Sequence, residues 1–168
     1  MTVWRERVQR GFEGMLALLM AVLVLDVLWQ VISRYGLGRP SAWTDELATL
    51  LTIWVAAVGA SVGFARGAHL GVDVLVARMP ERARLWVDGL VHLLVAVFAL
   101  GVLGWGGWAL VSLTLLTDQV SPALGVKMGH VYLALPLSGL AIAGFALEGG
   151  WTRWRRTRRG AGAGEAAR

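Results

Sequence analysis

The sequence contains no cysteine and little charge. Without cysteine, the chain can form neither a disulfide framework nor a Cys-ligated metal or iron–sulfur site. Charged residues make up 16% of its 168 residues, against about 25% in an average soluble protein. Hydrophobic residues make up 57%, and the mean hydropathy is +0.62. This composition indicates an integral membrane protein and argues against a water-soluble domain.

The apolar residues are concentrated in four blocks, each long enough for a helix to cross a bilayer core of about 30 Å. The blocks are Gly11 to Ser33, Leu47 to Ala65, Trp86 to about Leu110, and His130 to about Leu147. The first block follows a basic segment, as in a signal peptide, but it is longer than a signal sequence and lacks a small-residue cleavage site. We therefore predict an all-α integral membrane fold with four transmembrane helices.

Arginine and lysine lie in the short segments between and after the blocks, which predicts the topology. One set of segments carries Arg5, Arg7, Arg10, Arg66, Arg78, Arg82, Arg84 and the arginines of the tail; the opposite set carries only Arg34, Arg39 and Lys127. The richer set should face the cytoplasm, which places both termini inside. The same distribution explains the net charge of +5 as a topology signal, so we expect a lipid bilayer and no nucleic acid as partner.

The segment between blocks two and three has helical spacing of its own. Leu70, Val74 and Ala77 recur on one side, opposite Asp73 and Arg78, which predicts a short amphipathic helix along the inner membrane surface. We divide the chain into a four-helix transmembrane domain, residues 1–150, and a basic cytoplasmic tail, residues 151–168, that we expect to be disordered.

Three ionisable residues lie inside apolar blocks, where a charge costs about 2.5 to 3.5 kcal/mol at mid-membrane. Asp88 and His92 are four residues apart on one helix face, which suits a proton relay, half of a metal site, or a hydrated pair at a helix end. Asp26 lies deeper and could cap or pair with a group on a neighbouring helix. The sequence identifies no partner for it.

The sequence gives little support for an enzyme or a haem-binding electron carrier. His92 is near the inner end of block three and His130 opens block four at the outer face, about 20 Å away along the membrane normal, so one haem could not bridge them. The sequence has no HExxH motif and no cysteine nucleophile. We therefore expect a non-catalytic membrane subunit without cofactors, and we assign no catalytic, substrate-binding or metal-binding residue.

Small residues in block two recur at four-residue spacing, at Gly59 and Gly63 and again at Ala56 and Ala60. Such faces allow helix backbones to approach closely in lipid. They could form a docking face for another membrane subunit or pack within this chain, and both interpretations stay open. The glycine cluster of block three, Gly101 to Gly107, has the same two interpretations.

The stretch from Arg34 to Leu75 closely resembles the small (Q) membrane subunit of tripartite ATP-independent periplasmic (TRAP) transporters. The resemblance rests on an Arg after helix one, a Trp-x-acid-Glu at the start of helix two, a run ending in small residues, and a basic residue followed by His and Asp. These positions are Arg34, Trp43, Asp45, Glu46, Gly59, Ala60, Arg66, His69 and Asp73.

The resemblance continues through residues 121–148, where Pro122, Leu124, Gly125, Tyr132 and Pro136 fit the outer loop and fourth helix of the family. One departure is Lys127, at a place where many relatives have proline. It leaves open the conformation of the outer loop and whether that loop contacts another protein.

The resemblance implies a sodium-coupled secondary transporter of the bacterial inner membrane. A periplasmic solute-binding protein would deliver an organic acid anion to a large (M) membrane subunit, which this chain would stabilise as a scaffold. Substrate and sodium sites would belong to the large subunit, and the solute cannot be read from this chain. The alternative is a small subunit or assembly factor of another membrane complex, such as a respiratory enzyme.

The candidate subunit-interface or structural residues are Arg34, Trp43, Asp45, Glu46, Gly59, Gly63, Arg66, His69 and Asp73. Asp45 and Glu46 should lie in the first turn of helix two, where acidic groups interact favourably with the helix dipole. We expect Glu46 to pair with Arg34 or with a basic group of the large subunit, or else to be an ordinary acid at a solvated helix start. Arg66, His69 and Asp73 should fix the surface helix at the cytoplasmic side.

Overall fold

A computed structural model of the chain describes residues 3–39, 41–67 and 80–165. The described residues form long helices: α1 Val3–Tyr35, α2 Ala42–Ala65, α3 Glu81–Phe98, a π-helical segment Ala99–Gly106, α4 Gly107–Leu116, α5 Met128–Tyr132 and α6 Ala134–Glu165. The segments α3, π and α4 follow one another without a break. The amphipathic surface helix predicted around Leu70 to Ala77 lies outside the described residues, as do His69 and Asp73.

Four stretches are long and apolar enough to cross a membrane, which confirms the predicted fold class. They are Glu6–Tyr35, Ala42–Ala65, Gly89–Leu116 and Met128–Gly150. Both α1 and α2 begin several residues before the apolar blocks do, because hydropathy detects the membrane core whereas helical geometry continues through good helix formers such as Arg and Glu.

The ends of these helices follow local chemistry. Past α1, Gly38 has a φ of +64°, and past α2, Gly67 has a φ of +74°; glycine reaches this left-handed region without the steric cost of a Cβ. Between α5 and α6 the helix breaks at Leu133. Pro136 lacks the N–H that would bond the carbonyl four residues earlier, so the ladder cannot run unbroken through this point.

Helix α6 lies at the centre of the bundle, packed against α2, α3 and the π segment, whereas α1 packs mainly against α2. The buried cluster contains Ala99, Ile142 and Ala143, with Phe64, Val95 and Leu103 around it. Only 6% of the apolar window of the first span is buried within the chain, against 50% for the fourth. The outward apolar side chains are those that a bilayer or another membrane protein would contact.

At its far end α6 continues through Glu165, where the sequence led us to expect a disordered tail from residue 151. Arginine is a good helix former, so a helix that is already started extends through the segment 153–159 without a hydrophobic face to bury. The division between a transmembrane domain and a cytoplasmic tail stays a prediction.

Candidate functional site

Glu46 binds the outer loop, the segment 117–127 that connects α4 to α5. Its Oε2 accepts hydrogen bonds from the backbone N–H groups of Ala123 at 2.7 Å and Leu124 at 3.0 Å. Hydrogen bonds to a carboxylate are shorter and stronger than neutral ones. One side chain in the first turns of α2 therefore tethers a loop that lies 77 residues later in the sequence; we call this contact the Glu46 clamp.

The outer loop has an ordered backbone of its own. Val120 and Lys127 form an antiparallel bridge, and the Ser121 N–H donates to the Val126 carbonyl at 2.9 Å. The Lys127 ammonium lies 2.9 Å from the carboxylate of Asp118, the one described residue other than glycine with a positive φ, +47°. Lys127, the departure noted in the sequence, thus closes the base of the loop.

Arg34 lies beside Asp45 and not beside Glu46. Its Nη2 is 3.9 Å from Asp45 Oδ1, and both side chains are 52% exposed. An exposed pair at this distance stabilises a fold very little. The expected pairing of Glu46 with Arg34 across the hairpin is therefore replaced by two separate contacts, a weak ion pair for Asp45 and the clamp for Glu46.

The start of α2 is fixed by hydroxyl groups. Thr44 is fully buried, and its hydroxyl donates to the Ser41 carbonyl at 2.8 Å and lies 2.9 Å from the Ser41 hydroxyl. Trp43, one residue earlier, is 46% exposed, as expected for an indole at headgroup level. This local network holds the first turn, and Glu46, which follows directly after that turn, reaches the loop.

At the opposite end of the hairpin, Arg66 and Glu13 form the closest ion pair between α1 and α2. The Arg66 Nε donates to Glu13 Oε1 at 2.9 Å, and the Gln9 amide donates to the same oxygen at 2.9 Å. The hydrogen bond to Glu13 and its charge raise the pKa of Arg66 further above its ordinary value. The observed role of Arg66 is to connect the C-terminal end of α2 to the N-terminal part of α1.

The small residues of block two divide between two environments. A Cβ added at Gly59 would touch only Leu16 of α1, at 3.7 Å, and at Gly63 it would meet nothing within 4 Å. Ala56 and Ala60 are exposed. Among the described residues, the face around Gly63 is therefore open, and close packing within the chain occurs elsewhere.

Ser61 occupies the buried side of the same turn. Residues 59–63 read Gly-Ala-Ser-Val-Gly, which matches the GxSxG pattern of serine hydrolases, but that pattern needs a sharp strand-to-helix turn that exposes the serine. Here it lies within α2, and the fully buried Ser61 donates to the Ala57 carbonyl at 3.0 Å, with the Ser138 carbonyl of α6 at 3.5 Å. Ser61 is thus a packing residue between α2 and α6.

Helix α6 and the π segment approach each other backbone to backbone at Gly139. A Cβ at Gly139 would lie 2.7 Å from the Ala99 carbonyl oxygen and 2.8 Å from the Gly104 nitrogen. One turn away, a Cβ at Gly107 would lie 2.9 Å from Leu135 Cβ. Of the two interpretations given for the glycine cluster of block three, Gly107 therefore fits packing within the chain.

His92 is buried in α3, 6% exposed, at the end of the bundle where α2 ends. Its ring meets Phe64 edge-on, with centroids 6.3 Å apart, and a Cβ at Gly149 would lie 3.1 Å from its Nε2. His130 is exposed in α5. In the part of the chain that the structure describes, no three His, Cys, Asp or Glu side chains are grouped to hold a metal ion.

Comparison with known proteins gives a family match over most of the chain. The model for the DctQ component of tripartite ATP-independent periplasmic transporters matches residues 23–156. This region contains the Glu46 clamp, Arg66 and the close approach at Gly139.

Curated relatives carry corresponding descriptions. The chain is 37% identical to the sialic acid TRAP transporter small permease protein SiaQ of Vibrio cholerae, over 52% of this chain and 51% of that protein. It is 34% identical to the C4-dicarboxylate TRAP transporter small permease protein DctQ of Rhodobacter capsulatus, over 60% of this chain and 44% of that one. It is 30% identical to the isethionate TRAP transporter permease protein DctMQ of Oleidesulfovibrio alaskensis, over 74% of this chain but 20% of that protein. The matches thus span about half or less of the length of these three relatives.

Proposed function

We propose a function for this chain from one premise: it belongs to the family of DctQ components of tripartite ATP-independent periplasmic transporters. Small permease proteins of this family are transporter components, so the chain is a component of a membrane transporter and not an enzyme. Its four apolar helices and its family make it a multi-pass protein of the inner membrane.

In finer detail, the chain acts as the small scaffold subunit of a sodium-coupled, binding-protein-dependent secondary transporter and stabilises the large transport subunit in the bilayer. The observation that carries this proposal is how little of the first span the chain itself buries, 6% of its apolar window. The open face around Gly63 adds a second outward surface at which helix backbones can approach closely.

A large membrane subunit as partner is supported by the relative DctMQ, a single permease protein of which the region similar to this chain is 20%. Transport of organic acid anions is supported by the solutes that the relatives' names give: sialic acid, C4-dicarboxylates and isethionate are all organic acids. These names do not select one solute for this chain, and a periplasmic binding protein remains part of the proposal.

The proposed orientation puts both termini in the cytoplasm. It puts the Arg66–Glu13 pair at the inner surface and the outer loop with Lys127 at the periplasmic surface, in agreement with the distribution of basic residues. In this orientation the Glu46 clamp holds a loop at the surface where a binding protein would arrive. Arg34, Trp43, Asp45, Glu46, Gly59, Gly63, Arg66, His69 and Asp73 stay candidate interface or structural positions.

The test is an affinity pull-down of the chain, tagged at its C-terminus, from native membranes in mild detergent, with partners identified by mass. Stoichiometric recovery of a large polytopic membrane protein without a coloured cofactor is the expected result. Recovery of the chain alone, or with a haem or quinone enzyme, would contradict the proposal and favour the alternative complex.

A pair of variants locates the interface. Gly63→Leu enlarges the open face of α2, whereas Gly14→Leu enlarges α1 at a glycine that also has nothing within 4 Å of its Cβ position. We expect Gly63→Leu to reduce recovery of the large subunit more than Gly14→Leu does, while both proteins accumulate normally. Wild-type recovery of the large subunit with Gly63→Leu would remove the Gly63 face from the interface, whereas an equal reduction by both variants would show that the α1 face contributes as well.

A further inference from the structure

Within its apolar stretch, helix α1 buries two polar side chains and exposes many apolar ones. Among the side chains of α1 that the structure describes, two are buried: Asp26, 7% exposed, and Ser33, 3% exposed. Leu18 and Leu25, by contrast, are 65% and 66% exposed. This pattern is the reverse of a surface helix in a water-soluble protein.

The less exposed residues of α1 form a single seam. From Phe12 onward they recur in steps of four and three, at Phe12, Leu16, Leu19, Leu23, Asp26, Gln30 and Ser33, with Glu13 beside them. Alternating steps of four and three are the repeat by which one helix keeps the same face against another. Asp26 therefore occupies a central position of the face that meets α2.

The register of this antiparallel hairpin is given by three contacts: Glu13 with Arg66, the Leu16 side chain beside Gly59, and Arg34 with Asp45. Asp26 thus lies opposite residues 49–53 of α2, well inside the span. Both of its carboxyl oxygens are buried, and neither has a hydrogen-bond partner among the described residues. Ser33, by comparison, donates to the Gln30 carbonyl of its own helix at 3.0 Å.

The apolar residues of α1 cannot by themselves decide which face turns towards α2. In a bilayer the lipid chains are as apolar as leucine, so no hydrophobic gain accompanies burial of one leucine face in place of another. A carboxyl group in contact with lipid is, in contrast, strongly disfavoured. A single polar residue at a seam position is a known device for fixing how helices align.

We propose that Asp26 sets the rotational orientation of α1 about its own axis, because it turns the seam from Phe12 to Ser33 towards α2. The ion pairs at the two ends of the hairpin are exposed to solvent and screened, whereas Asp26 acts where the surroundings are hydrocarbon. The orientation in turn fixes which apolar residues of α1, Leu18 and Leu25 among them, face away from α2. This inference does not depend on the identity of the transporter partner.

The test is disulfide cross-linking in membranes, for which the absence of native cysteine gives a clean background. One reporter is Leu16→Cys with Gly59→Cys, which joins the observed seam to α2. The second is Met15→Cys with Gly59→Cys, one residue and about 100° away around α1. With Asp26 present, the first pair should cross-link and the second should not.

In the Asp26→Leu protein, we expect the preference for the Leu16 pair to fall by about tenfold or more, whereas Asp26→Asn should retain it. General destabilisation would lower both cross-links together and would not change their ratio. An unchanged ratio in Asp26→Leu would overturn the proposal, and so would a loss in Asp26→Asn as complete as in Asp26→Leu.

A second variant moves the acid by one position. In the double substitution Asp26→Leu with Leu25→Asp, burial of the new carboxyl requires α1 to turn by about 100°, so the Met15 pair should become the preferred cross-link. Persistence of the Leu16 pair would show that the position of the acid does not determine the orientation.

Discussion

Gly139 offers a quantitative test of the contact between the third and fourth spans. A Cβ introduced by Gly139→Ala would lie 2.7 Å from the Ala99 carbonyl oxygen and 2.8 Å from both the Gly104 nitrogen and Leu103 Cβ. Ordinary contact begins near 3.4 Å, so the two helices would have to separate by roughly 0.7 Å. Because two of the opposing atoms belong to the backbone, no rotation of a side chain can relieve the overlap.

Overpacking of this kind costs about 1 to 3 kcal/mol. For a chain of this length, each kcal/mol corresponds to about 2 to 4 °C in melting temperature, so Gly139→Ala should lower the melting midpoint of the detergent-solubilised protein by about 2 to 12 °C. The assay is loss of the monodisperse peak in size-exclusion chromatography after heating.

The matched control is Gly144→Ala, five residues further along α6, where an added Cβ meets nothing within 4 Å. Alanine is the better helix former by about 1 kcal/mol, so this variant should melt at or slightly above the wild-type temperature. Equal midpoints for the two variants would refute the close approach of the π segment to α6.

Other contacts make predictions of their own. Glu46→Gln should speed hydrogen exchange of the Ala123 and Leu124 amides, because a neutral amide oxygen is a weaker acceptor than a carboxylate. The control, Asp45→Asn, should leave those exchange rates unchanged. Unchanged rates in Glu46→Gln would rule out the clamp. Arg66→Gln should lower the melting temperature slightly at low salt and not at high salt, because the pair with Glu13 is exposed and screened; a large loss at high salt would contradict this reasoning. A cysteine at Gln119 should react with an impermeant maleimide in intact cells, and one at Arg158 only after permeabilisation; the reverse pattern would contradict the topology.

The sequence predicted the number of spans because each needs about twenty apolar residues in succession, a local property. It did not predict where the helices begin. Val3 and Glu81 start helices within polar segments, where helix propensity and not hydropathy decides.

The partner of Glu46 could not be predicted for a different reason. Its hydrogen-bond donors are the backbone N–H groups of Ala123 and Leu124. Every residue except proline has such a group, so the residue types in a sequence do not reveal which N–H groups will bind a carboxylate. The two features that approach this contact, an acid in the first turns of α2 and the loop at residues 121–125, are far apart in the chain, and only the fold brings them together.

The central position of α6 has a consequence for the order in which the protein can assemble. Synthesis runs from the N-terminus, so α1 and α2 can pair early, with the Glu13–Arg66 contact between them. Helix α3 and the π segment then enter the membrane before the helix that packs against both them and α2 exists. Three spans are therefore in the bilayer before the fourth has been made. A ribosome that stalls before Ala134 would leave the α1–α2 hairpin and the third span without the helix that packs against both.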